Sequence, residues 1–324
     1  MLALGLQGSP RTKGNSDLLL AEFMQALSSR GAQTKIIQVA RRNIKPCREL
    51  TVCEKRGTCP IKDDMGEVYG LLRQADIIVA ASPVFFYNVT AQLKALIDRC
   101  QTLWARKYLL KLSDPGSRVR KGFLLAVGAT HGRQLFDGFH LTAKYFYDAV
   151  AAEYAGSLTY RGVEKRGQIT KHPTMATDVE SAATGLMAGM AQRRKVLFAC
   201  RENACRSQMA AAFARMYAGD LLDVGSAGSQ PAAERNPLMI EVMQEKGIDM
   251  AFGGTRSLEE AIADEPPEEI ITMGCEEACP FVPGAVRQDW DFPDPAGQAI
   301  AFMREVRDRI EDRVKDYLKT TKPA

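Results

Sequence analysis

The chain has 324 residues, of which 46% are hydrophobic and 25% charged, so it is a globular protein long enough for two cores. Its formal net charge of +4 is too small to predict a nucleic-acid or anionic-membrane partner. No apolar stretch of about 18 residues occurs, so we expect no membrane span. The N-terminus also lacks the basic and apolar regions of a signal peptide, so we expect a cytoplasmic location.

The first half alternates between short apolar runs and helical patterns, beginning with a predicted strand at 2–7. Further strands are predicted in AQTKIIQVA, ADIIVAASPV, GFLLAVGAT and EYAGSLTY, and helices near 16–29, 64–74, 89–105, 135–151 and 180–192. Strands that alternate with helices predict a parallel sheet with helices on both faces.

A second β-loop-α unit begins at the apolar run 195–199, just after Arg193. The pattern then predicts helices at 207–218, 236–246 and 296–319, and strands at 222–226 and 268–273. We therefore predict an α/β fold class with two three-layer αβα domains and parallel sheets, one over residues 1–192 and the other over 193–324.

The loop GSPRTKGNSD, residues 8–17, joins the first predicted strand to a helix. Its glycines permit tight turns, and free N–H groups at the helix start favour an anion such as a phosphate. The polar and cationic side chains available to that anion are Ser9, Arg11, Lys13, Asn15 and Ser16. A capped loop that binds no ligand is the alternative interpretation.

Two later loops follow strands of the same predicted sheet, so they are expected at the same edge as the first loop. SPVFFYNVT, from residue 82, places Phe85, Phe86 and Tyr87 before a helix, where aromatic rings can flank a flat ring system. GATHGR, residues 128–133, adds small residues, a hydroxyl group and a cation.

GSPRTKGNSD, DDMGEVYGLLRQADIIVAASPVFFYNVTAQLKALIDR and GATHG resemble the NAD(P)H-dependent FMN reductase and iron–sulfur flavoprotein family, over roughly residues 1–170. The resemblance implies a flavodoxin-like fold that binds FMN, with NAD(P)H as the electron donor and a homo-oligomer formed through this domain. It implies that the first loop holds the FMN phosphate and the other two hold the isoalloxazine. The ring contacts are then expected from Pro83, Val84, Phe85, Phe86, Asn88, Thr130 and Gly132.

The segment CRELTVCEKRGTC departs from the iron–sulfur members of that family, which carry four cysteines before DDM. Cys47, Cys53 and Cys59 match, but Leu50 occupies the second position. Because a [4Fe–4S] cluster usually requires four thiolates, we expect no intact cluster and no other metal. Two of the three thiols are candidates for a redox relay; a loop of free thiols is the alternative.

The segment CRENACRS, residues 200–207, places a thiol between an apolar strand and a helix. Free N–H groups and the helix dipole stabilise a thiolate there, and the five residues before Arg206 can form a ring of inward N–H groups. Such a ring fits a tetrahedral oxyanion that Arg206 grips bidentately, while Ser207 donates to the sulfur and Asn203 braces the loop. Cys200 is therefore a candidate nucleophile toward phosphate or arsenate. A buried structural cysteine is the alternative.

The leaving oxygen needs a general acid, and Asp294, in an Asp-Pro turn, is the candidate. Asp289 and Asp291 are competitors that we expect to be solvated.

Residues 195–320 resemble the low-molecular-weight tyrosine phosphatase superfamily, and specifically its thiol-dependent arsenate reductase branch. CRENACRSQMA, SAGSQPAAERNPLMIEVMQEKGID, ITMGCEEACPFVPG and DWDFPDPAG carry the likeness. Arsenate reduction needs two electrons, which further thiols can supply. Cys275 and Cys279 are expected to resolve the Cys200 adduct and carry the disulfide outward, unless they only pack the core.

Together the two halves predict a flavin-linked arsenate reductase in which NAD(P)H reduces FMN and FMN reduces the cysteines. The relay of Cys47, Cys53 and Cys59 would exchange with Cys279, whereas thioredoxin is the alternative donor. Two other functions stay open: a low-molecular-weight protein tyrosine phosphatase fused to an FMN reductase, and a non-catalytic oxyanion or redox sensor.

Overall fold

A computed structural model describes residues 1–264, 266–274 and 282–321. The chain forms two compact units. One comprises Met1–Lys111 with Val119–Ala191, and the other comprises Leu112–Arg118 with Gln192–Ala324. Among the described residues, no helix combines the length and the apolar composition that a membrane span requires.

The first unit is built on a five-stranded, fully parallel sheet with the order β2-β1-β3-β4-β5. Its strands are β1 (Leu2–Gln7), β2 (Gln33–Gln38), β3 (Ile77–Pro83), β4 (Lys121–Val127) and β5 (Glu153–Tyr160). Its helices are α1 (Asn15–Ser28), α2 (Val52–Arg56), α3 (Met65–Gln74), α4 (Ala91–Arg99), α5 (Gln101–Tyr108), α6 (Asp137–Ala149) and α7 (Met175–Met187).

Helices cover both faces of this sheet. One face of β1, β3 and β4 packs on α1 and α7 through an apolar cluster that includes Phe23, Val79 and Val179. The other face lies against α3 and α6. The three central strands β1, β3 and β4 are buried on both sides, which explains their nearly continuous apolar sequences, whereas the edge strands β2 and β5 are partly exposed.

The second unit contains a four-stranded parallel sheet with the order β7-β6-β8-β9. Its strands are β6 (Arg194–Cys200), β7 (Leu222–Gly228), β8 (Glu269–Thr272) and β9 (Val286–Asp289). Its helices are α8 (Arg206–Ala218), α9 (Pro237–Glu245), α10 (Leu258–Asp264) and α11 (Ile300–Thr321). The larger of two apolar clusters joins α8, α9 and α11 to one face of this sheet. A smaller apolar cluster joins α10 to the other face.

The expected fold class, two αβα domains with parallel sheets, is confirmed. Four details differ from the sequence-based expectation. The single helix predicted at 89–105 is two helices, because the N–H of Cys100 bonds both the Leu96 and Ile97 carbonyls and tightens the last turn. The short helices α2 and α10 and the edge strand β9 were not predicted. Four to seven residues with few apolar side chains give no clear period.

The strand order places a ligand crevice in each unit. The next two strands along the chain after β1, which are β2 and β3, lie on opposite sides of it in the sheet. In the same way, β7 and β8 lie on opposite sides of β6. In open parallel sheets, ligands bind beyond the carboxyl ends of the strands at such a point. Gln7 and Cys200 are the last residues of these two strands.

Candidate functional site

The loop between β6 and α8 turns its carbonyl groups away from its own centre. The carbonyls of residues 200, 201, 202 and 204 accept hydrogen bonds of 2.8 to 3.2 Å from the N–H groups of residues 229, 230, 232 and 236. The Asn203 carbonyl accepts one of 3.0 Å from Nε2 of Gln208. A Cβ on Gly228 would lie 2.7 Å from the Arg201 oxygen, so this packing requires glycine there.

The opposite side of the loop carries N–H groups. Within the part of the chain that the structure describes, the N–H groups of residues 201–205 donate to no acceptor. Asn203 has a left-handed backbone (φ 51°), a conformation that asparagine tolerates and that curls successive N–H groups inward. The loop between Cys200 and the N-terminus of α8 therefore forms a concavity whose geometry fits an anion.

Hydrogen bonds around Asn203 determine which way the hydroxyl hydrogen of Ser207, next to Cys200, points. A backbone N–H can only donate, and that of Arg256 points at Asn203 Oδ1 (2.9 Å), so Nδ2 is the end that faces Ser207 Oγ (2.9 Å). The hydroxyl thus accepts from Asn203, and its own hydrogen is free for Cys200 Sγ at 3.1 Å. Ser207 is therefore placed to donate a hydrogen bond to the Cys200 sulfur.

Arg206 lies at the first position of α8 and is almost fully buried. Its guanidinium donates to the carboxylate of Asp294 at 2.7 Å and to the Phe292 carbonyl at 3.1 Å. A Cβ on Gly274, whose φ is +73°, would lie 2.6 Å from Arg206 Nη1. Glycine at 274 therefore leaves the space that the guanidinium occupies. Asp294 itself is half exposed.

The second thiol of the loop differs from the first. Burial, and then the proximity of Cys200 and Asp294, raise the pKa of Cys205 to about 12. Its thiol is consequently neutral at physiological pH. Asp289 is well exposed and bonds Thr272 and Arg287. Cys275 and Cys279 lie outside the described residues.

The loop after β1 presents part of its predicted phosphate site. Ser9 Oγ accepts the N–H of Arg11 at 3.1 Å, and Arg11 and Lys13 are exposed. Asn15 is engaged within the fold, where it bonds the Lys165 carbonyl and the Ile169 N–H. The α1 N-terminus has no side-chain cap, so its first N–H groups are available to an anion.

Two buried polar side chains beside this loop have no partner. Ser16, in the first turn of α1, and Gln7, at the end of β1, are 2% and 0% exposed. Ser16 Oγ and both amide atoms of Gln7 make no hydrogen bond within the described chain. Such groups are usually satisfied by water or a ligand, so this corner fits a phosphate-bearing cofactor such as FMN. Sequence reasoning missed Gln7, although a glutamine that ends an apolar strand was the available signal.

The loop after β3 forms a tight turn of aromatic residues. Phe85 and Asn88 exchange both backbone hydrogen bonds, at 2.9 and 3.0 Å. Phe86 (φ 48°) and Tyr87 (φ 60°) between them have left-handed backbones, and Phe86 is fully exposed. Strain of about 1–3 kcal/mol per residue usually marks a functional segment, so an aromatic platform is a reasonable interpretation.

This turn contacts the third predicted flavin loop. A Cβ on Gly132 would lie 2.5 Å from the hydroxyl of Tyr87. Asn88 Oδ1 accepts from Thr142 Oγ1 at 3.1 Å, so that amide is held by α6. Thr130 is exposed, whereas Pro83 and Val84 are half-buried. The structure thus brings the second and third loops together at the carboxyl edge of the sheet.

The cysteine segment between β2 and α3 does not fit a four-thiolate cluster. Cys47 is exposed, Cys53 and Cys59 are half-buried, and all three are free thiols. Leu50, where a fourth ligand would stand, is 44% exposed. In residues 1–264, 266–274 and 282–321, no group of three or more His, Cys, Asp or Glu side chains could hold a metal ion as arranged.

Comparison with protein families matches both halves of the chain. Residues 1–137 match the NADPH-dependent FMN reductase family, and residues 195–323 match the low molecular weight phosphotyrosine protein phosphatase family. Arsenate reductase 1 of Bacillus cereus is 36% identical over 133 residues, which cover 40% of this chain and 98% of that protein.

An iron–sulfur flavoprotein of Archaeoglobus fulgidus is 42% identical over 127 residues, which cover 39% of this chain and 62% of that protein. The chain spans 45% to 65% of the length of the first four iron–sulfur flavoproteins that it matches. A solved thioredoxin-dependent arsenate reductase of Corynebacterium glutamicum is 30% identical, with a TM-score of 0.35; the match covers 46% of this chain and 76% of that one.

Proposed function

Because the chain belongs to the NADPH-dependent FMN reductase family through residues 1–137 and to the low molecular weight phosphotyrosine protein phosphatase family through residues 195–323, we propose that it is a flavin-linked arsenate reductase. The observation that carries the proposal is the concavity at Cys200. Its carbonyls point outward, its N–H groups point inward, and Arg206 lies at its helix. The arsenate reductase relative, covered over 98% of its length, supports arsenate as the substrate.

The Cys200 sulfur attacks the arsenic atom, an As–S bond forms, and one arsenate oxygen leaves as water. The N–H groups of residues 201–205 and the Arg206 guanidinium hold the remaining oxygens and stabilise the charge that develops on them. In this proposal Asp294, which accepts a hydrogen bond from Arg206, delivers a proton to the leaving oxygen.

The second step needs another thiol, and the sequence offers Cys275 for it. Its sulfur attacks Cys200 Sγ, the As–S bond breaks, and the bonding electron pair stays on arsenic as arsenite leaves. One arsenate and two thiols thereby give arsenite, one disulfide and one water. Cys279 then takes over the disulfide by exchange. The roles of both residues rest on the sequence alone.

The first unit supplies the reducing equivalents in this proposal. FMN, when bound, accepts two electrons from NAD(P)H and passes them on. Ser9, Arg11, Lys13 and Ser16, with Gln7, would hold its phosphate; the loops at 83–88 and 130–132 would hold its ring. The thiols of Cys47, Cys53 and Cys59 would relay the electrons to Cys279. Thioredoxin is the alternative donor, as the name of the Corynebacterium relative indicates for that protein.

The domain organisation supports this path in one further way. We propose that residues 1–192 and residues 193–324 form the two domains. The first domain mediates a homo-oligomer in this proposal, and the protein is cytoplasmic. A donor carried on the same chain raises the effective concentration of reductant at the disulfide.

Arsenite production driven by thioredoxin, thioredoxin reductase and NADPH tests the arsenate chemistry. Cys200→Ser should lose all turnover, because serine cannot form the disulfide. Cys205→Ser is the matched control from the same loop and should keep most of the activity. Retained turnover in Cys200→Ser, or equal loss in both variants, would refute the assignment.

Phosphatase activity is the second candidate function, and the pairing of Arg206 with Asp294 favours it. Phosphoester hydrolysis needs a nucleophile, a guanidinium and an acid but no resolving thiol. Cys275→Ser should therefore abolish arsenate turnover and leave p-nitrophenyl phosphate hydrolysis nearly intact. Loss of both activities to the same extent would show that Cys275 acts through packing.

A further inference from the structure

A further segment at the carboxyl edge of the first sheet joins two of the loops described above. This bridging segment, residues 161–169, follows β5. The N–H of Val163 donates to the Gly128 carbonyl at 3.0 Å, and Nδ2 of Asn15 donates to the Lys165 carbonyl at 3.0 Å. The bridging segment therefore connects the loop after β1 with the loop after β4.

Two arginines of the bridging segment hold the neighbouring loops by their carbonyl groups. The Arg161 guanidinium donates to the carbonyl of Gly132 and, at 3.4 Å, to that of Arg133. The Arg166 guanidinium donates to the Lys13 carbonyl at 3.1 Å. A carbonyl oxygen satisfies an N–H donor but carries no net charge, so neither guanidinium is neutralised by these contacts.

The charge of this region is one-sided. The bridging segment and the loops at 8–17 and 128–133 together contain six lysine and arginine residues but only two acidic ones, whereas the whole chain has 43 and 39. Within the residues that the structure describes, none of the six basic side chains forms an ion pair. Clustered cations without counter-charges repel one another, and a bound anion relieves that repulsion.

Two of these cations combine an exposed side chain with a fixed backbone. Arg133 is exposed, and Arg161 holds its carbonyl. Lys165 is exposed as well; its N–H donates to Gln168 Oε1 at 2.9 Å, and its carbonyl accepts from Asn15. In the described part of the chain, neither cationic group has a hydrogen-bond or ion-pair partner. Backbones that are already ordered reduce the entropy that ligand binding costs.

The proposed function brings two different phosphate groups to this edge of the sheet. The FMN phosphate is assigned to the loop after β1, where Arg11 and Lys13 lie. NADPH carries a phosphomonoester on the 2′-oxygen of its adenosine ribose, and NADH lacks this group. A phosphomonoester carries nearly two negative charges at neutral pH, so it favours a site with more than one cation. Arg133 and Lys165 are the exposed cations that the FMN phosphate leaves available.

We propose that Arg133 and Lys165 bind the 2′-phosphate of NADPH, so that the first unit uses NADPH in preference to NADH. Arg133 offers a planar fork that matches two phosphate oxygens, and Lys165 adds a point charge. The inference rests on the proposed function, because it assigns the phosphate loop after β1 to FMN.

Titration calorimetry of the full-length, FMN-saturated protein tests the site. The probes are adenosine 2′,5′-bisphosphate and adenosine 5′-monophosphate, which differ only in the 2′-phosphate. Wild type should bind the bisphosphate about tenfold or more tightly, because contacts to a charged phosphate are gained. The double variant that combines Arg133→Gln with Lys165→Gln should bind both nucleotides equally. Added salt should weaken the binding of the bisphosphate more than that of the monophosphate.

Reduction of the bound flavin gives a second measurement. Anaerobic bleaching of the flavin absorbance is followed at increasing concentrations of NADPH and of NADH. The ratio of the half-saturating concentration of NADH to that of NADPH should fall about tenfold or more in the double variant. Lys144→Gln is the matched control, since it removes one positive charge from an exposed position on α6, and it should keep the wild-type ratio.

Equal affinity of wild type for the two nucleotides, or a preference that the double variant retains, would overturn the site. A similar loss of preference in Lys144→Gln would assign the effect to overall charge and would overturn it as well. Protein that takes up no FMN would refute the proposed cofactor alone, because the same titration without FMN still compares the two nucleotides and the same variants.

Discussion

The side-chain amide of Asn203 donates to the hydroxyl of Ser207 at 2.9 Å, and this bond orients the hydroxyl hydrogen toward Cys200 Sγ, 3.1 Å away. The amide cannot flip, because Arg256 N–H occupies its oxygen. Asn203 thus determines whether the Ser207 hydroxyl donates to the Cys200 sulfur, although it makes no hydrogen bond to that sulfur itself.

Asn203→Ala should lower the rate of Cys200 alkylation and of arsenate turnover about 10- to 100-fold, the worth of one hydrogen bond to a charged group. Part of any loss could come from the left-handed backbone at 203, so a double-mutant cycle with Ser207→Ala separates the effects. Asn203→Ala should add little in the Ser207→Ala background. Independent, additive losses would contradict the proposed coupling.

Gly274→Ala should impair both arsenate reduction and phosphoester hydrolysis, because the new Cβ would lie 2.6 Å from Arg206 Nη1 and displace the guanidinium. Gly284→Ala is the matched control. Its φ of +83° imposes similar backbone strain, but nothing lies within 4 Å of the added atom. Equal activity in the two alanine variants would show that Gly274 serves the backbone rather than Arg206.

Gln7→Leu should raise the stability of the flavin-free protein and lower its affinity for FMN. It removes a buried amide without partners, so the free energy of unfolding of the flavin-free protein should rise. If the amide binds the cofactor, FMN affinity should fall by about 1–3 kcal/mol. Fluorescence titration with FMN and chemical denaturation measure the two. Ser29→Ala, at the exposed end of α1, is the control. Lower stability together with unchanged affinity would exclude Gln7 from the flavin site.

The second unit should lose stability in acid through Glu311. Burial alone would raise the pKa of this carboxyl, but hydrogen bonds from Lys246, Lys315 and Tyr217 outweigh it and bring the pKa to about 2. Because the folded pKa lies below the unfolded one, the stabilisation is complete above about pH 4.5 and is lost as the pH falls toward 2.

Glu311→Gln should flatten that acid dependence, and Asp312→Asn, an exposed neighbour, should not. Denaturation followed by fluorescence of Trp290, which is buried in this unit, reports the change. An unchanged pH profile in Glu311→Gln would assign the acid sensitivity to other groups.

Sequence reasoning located the concavity because three independent signals coincide there. An apolar run, a C-x5-R spacing and a helical pattern follow one another around Cys200, and each has a direct structural meaning. The loops after β1, β3 and β4 were located from the same strand-loop-helix pattern, and the flavin site that the family resemblance implies for them stays a prediction. What the sequence did not reveal depends on distant partners: Arg256 orients Asn203, Gly274 makes room for Arg206, and Gln7 is left unpaired by its neighbours.

The central claim, that electrons reach arsenate from the flavin half, is tested most directly by an anaerobic assay without any added thiol. Purified protein receives NADPH, FMN and arsenate, and arsenite is measured over many multiples of the enzyme concentration. The account predicts sustained turnover in wild type. In the double variant that combines Cys53→Ser with Cys59→Ser, the account predicts that this turnover is lost and that turnover driven by thioredoxin persists. Arsenite that stops at about one equivalent per chain in wild type, or sustained turnover in the double variant, would contradict the account.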